Sequence, residues 1–201
     1  MTNKRFDRII AIVLAAGRST RMGDVNKLLT PWQGKPLVVH VVDAALAVED
    51  LSEVAVVTGH QAGAVEALLA DGITPVHNPD YATGMASSLK AGIAWAKQHQ
   101  ADAVLILLGD MPLITSLQIE QIFAAHSEAG SQAIVQATNQ GKPGNPVLLP
   151  VSLFDDILQV EGDRGARSVI AAHRDQVVSV EIGDAAARDF DTPEAFAKPD
   201  I

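Results

Sequence analysis

Three short runs in this chain are apolar at every position: Ile9–Leu14, Val54–Val57 and Val104–Leu108. A strand with one wet face alternates polar and apolar residues, so runs without alternation are expected where helices cover both faces of a sheet. Their length suits strands and is too short for buried helices. Between them lie stretches with helical spacing. Leu37–Val48 is opened by Pro36, Gln61–Leu69 is closed by Asp71-Gly72, and Leu117–Ala129 ends at Gly130. Met85–Gln98 also carries apolar residues at helical spacing. Ile73–Val76 reads as a further strand, broken by Pro75 and therefore near an edge. Val104–Leu108 is the most apolar run and is expected at the centre.

The second half is less regular. Ala133–Ala137 and Pro146–Leu149 read as strands around a Gly/Pro/Asn loop, Asn139–Asn145. Leu153–Leu158 and Ala166–His173 read as short helices, and Val177–Ile182 as a last strand with alternating character. Alternating strands and helices predict an α/β fold: a three-layer α/β/α sandwich on a mostly parallel, Rossmann-like sheet. No repeat, low-complexity tract or linker divides residues 1–201, which are expected to form one domain.

Composition narrows the function. The chain has no cysteine, which excludes disulfides, zinc–thiolate and Fe–S sites, and a cysteine nucleophile. Lys and Arg number 15 against 24 Asp and Glu, a net charge of −9, so no basic stripe is available for a nucleic-acid backbone. The first nineteen residues have charges followed by an apolar run, as a signal peptide does. That run ends in a Gly/Arg loop after Ala16 and is too short to cross a bilayer, so a cytoplasmic protein away from membranes is expected.

In open parallel sheets, ligands sit beyond the carboxyl ends of the strands. The loop after the first strand begins at Leu14 and runs Ala15-Ala16-Gly17-Arg18-Ser19-Thr20-Arg21-Met22-Gly23, with Lys27 four residues on. Small residues let backbone N–H groups approach a ligand, and Arg18, Arg21 and Lys27 bring three cations to the same place, which describes a cradle for a polyphosphate. Neither GxxxxGK[ST] nor GxGxxG is present. The competing reading is a glycine-rich turn with solvated arginines. Asp110 follows the central strand and points to the same crevice, where a carboxylate can hold Mg²⁺ together with phosphate oxygens. The alternative for Asp110, capping the next helix, is better served by Thr115 or Ser116. Asp189 and Asp191 flank Phe190 and share one face if extended. Asp191 also precedes Thr192-Pro193-Glu194, which reads as a helix start.

The sequence LAAGRSTRMG followed by Lys27 resembles the LAAGxSxRMGxxK signature of MobA-like nucleotidyltransferases, with one extra residue before the lysine. The LAAG form, rather than LAGG, is similar to the molybdenum-cofactor cytidylyltransferase branch. Gly109–Pro112, Gly144–Val147, Gly162–Arg167 and Asp189–Glu194 resemble that family too, so the likeness covers nearly the whole chain. It implies a nucleotide-diphospho-sugar-transferase-like fold and a Mg²⁺-dependent transfer of CMP from CTP to molybdopterin. It implies Asp191 as a second Mg²⁺ ligand beside Asp110, with a helix-start role as the alternative. Arg21, Lys27 and Asp110 would act on the triphosphate, and Leu14, Ala15, Ala16, Gly17 and Arg18 would cradle it. Thr58 and Ser88 would line the base pocket, although Ser87 and Ser88 equally suit helix capping. Asn145, Asp163 and Arg164 would meet the acceptor, and Arg167 is a further candidate for its phosphate. Other phosphorylated acceptors are served by the same core, so fold and loop do not fix the substrate. A reading from another class is a carrier that hands the molybdenum cofactor to an apo-molybdoenzyme. Such a carrier would have no need of the Gly17, Arg21, Lys27 and Asp110 set.

Overall fold

The computed structural model describes residues 7–23, 25–162 and 165–197. Its strands are β1 (Ile9–Leu14), β2 (Pro31–Trp32), β3 (Lys35–Pro36), β4 (Leu51–Thr58), β5 (Ile73–His77), β6 (Ala103–Leu108), β7 (Ile134–Asn139), β8 (Lys142–Pro150) and β9 (Val177–Glu181). Its helices are α1 (Leu37–Leu46), α2 (Ala62–Glu66), α3 (Met85–Gln98), α4 (Ser116–Glu128), α5 (Phe154–Leu158), α6 (Arg167–Ala172) and α7 (Pro193–Ala197). Seven strands form one sheet in the order β5-β4-β1-β6-β8-β7-β9, and β2-β3 is a separate two-stranded ribbon. Within the seven-stranded sheet only β8 runs against its neighbours and the other pairings are parallel, while β2 and β3 pair antiparallel. As the apolar runs predict, β6 is the middle strand and β5, with Pro75, is an edge.

The unbroken apolar runs fill both faces. Ala11 and Val13 of β1 and Leu105 and Leu107 of β6 pack with Val38 and Val41 of α1 and Ile119 and Ile122 of α4. Ile10, Ile12, Val104 and Ile106 point the other way, to Leu89 and Ile93 of α3, Phe154 and Ile157 of α5 and Ile170 of α6. These two cores make the three-layer sandwich. Gly92 sets how closely α3 lies on β1, because a Cβ there would come within 2.5 Å of the Ile12 side chain.

Local signals account for the element ends. Thr115 caps α4 and forms a reciprocal capping box with Gln118, so Asp110 is not needed as a cap. Pro193 occupies the first position of α7. The expected loop Asn139–Asn145 is instead mostly strand. Asn139 pairs with Lys142 across a two-residue turn, Gln140-Gly141, both with positive φ. The Glu181 carboxylate accepts from the N–H groups of Gln140, Gly141 and Gly183 and from the Thr138 hydroxyl, and these bonds hold it below the usual carboxylate range. Between Thr138–Pro143 and Gln136–Val147 the register slips, so the stretch around Gly144-Asn145-Pro146 bulges from the ladder. The proline and glycine that read as loop residues mark this bulge inside a strand.

Among the described residues no helix is long and apolar enough to cross a membrane. His126 of α4 is 1% exposed, its Nδ1 lies 3.2 Å from the Ala133 carbonyl, and its Nε2 is buried without a partner. Burial pushes its imidazole below the ordinary 6.5, against the pull of the Ala133 carbonyl and Asp7. The unfolded chain therefore takes up this proton first as pH falls. The stability tied to neutral His126 is full above about pH 6.5 and is lost below it. Urea unfolding is expected to show midpoints that drop between about pH 7 and 5.5, and His126→Leu is expected to flatten that slope.

Candidate active site

From β1 the chain moves through α1 to β4 on one side, while β6 flanks β1 on the other, so the strand order reverses at the β1/β6 junction. A crevice opens beyond the carboxyl ends of strands at such a point. The Gly109 N–H donates to the Leu14 carbonyl at 3.0 Å, which ties the two strand ends together. The loops that follow them face each other across a cavity of about 800 Å³.

The first loop is folded back on itself. Ser19 adopts a left-handed conformation (φ 52°), and its hydroxyl accepts from the Lys27 N–H at 3.2 Å. Buried Asn26 caps the turn Lys27–Leu29 by accepting from the Leu28 N–H at 3.1 Å. After the turn Thr20–Met22 the Val25 N–H reaches the Met22 carbonyl at 3.4 Å. The Lys27 ammonium is thereby aimed inward. It donates to both Asp110 and Asp191, and Arg21 donates to the other oxygen of Asp191.

Phe190 explains why the distant tail arrives here. It is fully buried, packs edge-on against Trp32 and Phe196, and its N–H donates to the Asp110 carbonyl at 3.0 Å. With Phe190 anchored inward, Asp189 and Asp191 on either side both line the cavity, as the alternation predicts. The electrostatics follow from this geometry. Burial draws the Lys27 ammonium down, but Asp110 and Asp191 outweigh it and raise its pKa. Burial pushes the Asp191 carboxyl up, and the bonds from Lys27 and Arg21 overcome this and hold it low. Asp189 is raised by burial and by the like charges of Asp191 and Asp110.

The donor set fits a divalent cation. Asp110 Oδ1 is buried and has no hydrogen-bond partner, while its Oδ2 is on Lys27. Among the described residues no three His, Cys, Asp or Glu side chains cluster as a metal site. Two carboxylates with phosphate oxygens completing the shell suit magnesium, which is rarely caged by protein ligands alone.

Most of the sequence-predicted residues meet here. Leu14, Ala16, Gly17, Arg18, Arg21, Lys27, Ser88, Asp110, Asn145 and Asp191 all line the cavity. Ala15 does not: its methyl is in the core and its N–H donates to the Val57 carbonyl at 2.9 Å. Thr58 is also interior, its hydroxyl donating to Glu66 at 2.8 Å, so it shapes the end of β4 without reaching the cavity. Ser88 does not cap α3; its hydroxyl accepts from the buried Asn78 amide at 3.0 Å. Asp163 and Arg164 lie outside the described residues. Sequence reasoning missed Tyr81 and Met85, which line the same wall and carry no motif. Gly144 was found by its likeness alone. A Cβ there would fall 2.1 Å from the Ala186 carbonyl, so β8 and the turn leading to Asp189 approach only through glycine.

Lys27→Met would leave three carboxylates facing one another with Arg21 as the nearest compensation. For this partly buried pair the expected loss is on the order of 2–3 kcal/mol in metal-free buffer. Thermal unfolding with added Mg²⁺ should recover more stability in the variant than in the parent, because the cation takes the place of the missing ammonium.

Known proteins provide independent comparisons. The molybdenum cofactor cytidylyltransferase of Escherichia coli K12 is 29% identical over 190 residues, covering 94% of this chain and 93% of that protein. The bifunctional protein GlmU of Symbiobacterium thermophilum is 33% identical over 138 residues, 68% of this chain; the match spans only 29% of that longer protein. Rv0371c from Mycobacterium tuberculosis H37Rv shares the fold, with a TM-score of 0.82 at 24% identity over 96% of this chain and 97% of that one. Its complex with manganese superposes with a TM-score of 0.75. Residues 11–177 match the MobA-like NTP transferase domain, and the chain belongs to that family of nucleotidyltransferases.

Proposed function

We propose that this chain, acting as a single cytoplasmic domain, transfers CMP from CTP to the molybdenum cofactor, giving molybdopterin cytosine dinucleotide and pyrophosphate. The observation that carries nucleotidyl transfer is the buried, unpartnered Oδ1 of Asp110 beside the Lys27 and Arg21 cations at the glycine loop. The finer reading rests on the near full-length likeness to the E. coli cytidylyltransferase and on the LAAG form of the loop.

In this reading an oxygen of the acceptor phosphate attacks the α-phosphorus of CTP, a new P–O bond forms, and the bond to pyrophosphate breaks on the opposite side. Phosphate oxygens are nucleophilic already, so positioning and charge stabilisation carry the catalysis. The small residues Ala16 and Gly17 let the loop backbone approach the triphosphate. Arg18 and Arg21 neutralise it, and Lys27, released from the carboxylates, follows charge onto the leaving group. Asp110 and Asp191 would hold Mg²⁺, which when bound supplies Lewis-acid polarisation of the α-phosphate. The manganese complex of the mycobacterial fold neighbour is in keeping with a divalent ion here. Ser88 and its partner Asn78 would shape the base pocket, and Asn145, with Asp163 and Arg164, would face the acceptor. Delivery of the product to an apo-molybdoenzyme is compatible with this role. A pure carrier has no use for the Lys27–Asp110–Asp191 arrangement.

Pyrophosphate release should occur with Mg²⁺, molybdenum cofactor and CTP, and not with GTP or ATP. Asp110→Asn is expected to lower kcat by at least about 10²-fold, the scale of losing one preorganised charge contact, with CTP binding largely kept in the absence of metal. Turnover that persists in this variant with unchanged Mg²⁺ dependence would sink the metal assignment.

A further inference from the structure

The tail that carries Asp191 is gripped at two points by one short stretch of chain. Lys27 donates to Asp191 itself. Five residues on, Trp32 packs edge-on against Phe190, the residue before Asp191, with ring centroids 5.2 Å apart. Hydrogen bonds hold the stretch between them. The Thr30 N–H donates to the Lys27 carbonyl and the Leu37 N–H to the Thr30 carbonyl, both at 3.1 Å, and Trp32 pairs with Lys35 across the β2-β3 ribbon. The ribbon is fixed in turn to α1. His40 Nε2 donates to the Trp32 carbonyl at 2.8 Å, and the two rings meet edge-on at 4.8 Å. Val38 and Val41 root α1 in the core. A line of contacts thus runs from the core through His40 and Trp32 to Phe190 and the carboxylate beside it. Trp32 is partly exposed and does not line the cavity, whereas Phe190 is fully buried.

We propose that Trp32 is a positioning residue for the cation site: it holds Phe190, and through it Asp191, opposite Asp110 once Lys27 has left the carboxylates. What is said of the cation rests on the nucleotidyl-transfer reading given above. The two grips differ in kind. The ammonium contact is polar, and in the proposed reaction it is exchanged when the metal–nucleotide complex arrives. The aromatic contact involves neither carboxylate nor phosphate and is unaffected by that exchange. Among the aromatic and charged groups described around the Phe190 ring, Phe196 and Arg188, each at 5.3 Å, belong to the tail and move with it, whereas Trp32 ties the ring to the rest of the protein. Edge-to-face packing fixes the direction of a ring as well as its depth. Turning Phe190 would swing Asp189 and Asp191, because side chains alternate about an extended backbone. It would also disturb the bond from the Phe190 N–H to the Asp110 carbonyl at 3.0 Å, a direct backbone link between the two carboxylate segments. Groups that orient metal ligands from behind commonly change metal affinity by about 10–100-fold when replaced, without touching the metal.

Two measurements test this without turnover. In metal-free buffer, Trp32→Leu is expected to speed hydrogen exchange in residues 187–197 about threefold or more, even though Lys27 still holds Asp191, while β1 and β6 keep their parental rates. With CTP present and acceptor absent, Mn²⁺ affinity, read from the electron paramagnetic resonance signal of free Mn²⁺, is expected to fall about tenfold or more in the same variant. CTP affinity without metal should stay within about twofold, and Trp32→Phe, which keeps an aromatic edge, should restore Mn²⁺ affinity to within about threefold of the parent. Parental exchange in the tail of Trp32→Leu, or exchange raised equally in β1 and β6, would overturn the proposal, as would parental Mn²⁺ affinity in that variant. The two readings fail separately. If the parent binds no Mn²⁺ yet Trp32→Leu loosens the tail alone, the grip on Phe190 stands and the cation assignment falls. If Mn²⁺ binds and pyrophosphate forms, but Trp32→Leu leaves tail exchange and Mn²⁺ affinity as in the parent, the positioning role falls and nucleotidyl transfer stands.

Discussion

The Lys27 ammonium is the interaction on which the arrangement of the site depends. It joins the loop after β1 to Asp110, 83 residues away, and to Asp191, 164 residues away. Asp110, Asp189 and Asp191 all line one cavity, and without a cation between them like charges would drive the segments apart. The raised pKa of Lys27 and the lowered pKa of Asp191 are the two sides of that one contact. The lysine stands where, in the proposed reaction, a divalent cation would find its carboxylates, and a metal–nucleotide complex would there exchange one positive partner for another and free the ammonium for the phosphates.

Such a contact is useful only if the backbone presents both carboxylates without strain. The two use different devices. Asp110 is delivered by the central strand, whose position is fixed by burial on both faces. Asp191 is delivered by Phe190, whose burial among Trp32 and Phe196 holds the tail while its N–H grips the Asp110 carbonyl. Burial of one aromatic residue thus orients the carboxylates on either side of it. Arg188, set over the Phe190 ring at 5.3 Å, continues the same packing outward.

The legible part of the sequence is the part governed by burial. Residues of β1 and β6 touch core on both sides, so their composition leaves one reading, and α3 was bounded correctly at both ends because its apolar spacing is unbroken. The site residues on those strand ends were legible for the same reason: a loop directly after a buried strand has one place to be. Ala15 and Thr58 show where this logic stops. Both lie at strand ends, but one N–H and one hydroxyl are taken by neighbouring strand and helix groups, and no pattern in the sequence announces which loop donors are already used. In β8, Lys142, Pro143, Gly144 and Asn145 read as loop because propensity is local. Glu181, some forty residues away, satisfies the turn and lets the segment remain in the sheet as a bulged strand.

The bulge also bears on how one fold serves many acceptors. Around the β1/β6 junction the sheet is parallel, and in the proposed reaction its loops would hold the triphosphate. Beyond β6 the direction reverses at β8, and the ladder is broken where Gly144 passes the Ala186 carbonyl. That break leaves Asn145 on the wall of the cavity beyond the β1/β6 junction and also of a second cavity, of about 870 Å³, lined by Gln136 and Ser179. In the proposed reaction, regularity in one half of the sheet would keep the reacting phosphates in place. Irregularity in the other half would let the body of the acceptor change while its phosphate still arrived at the same point.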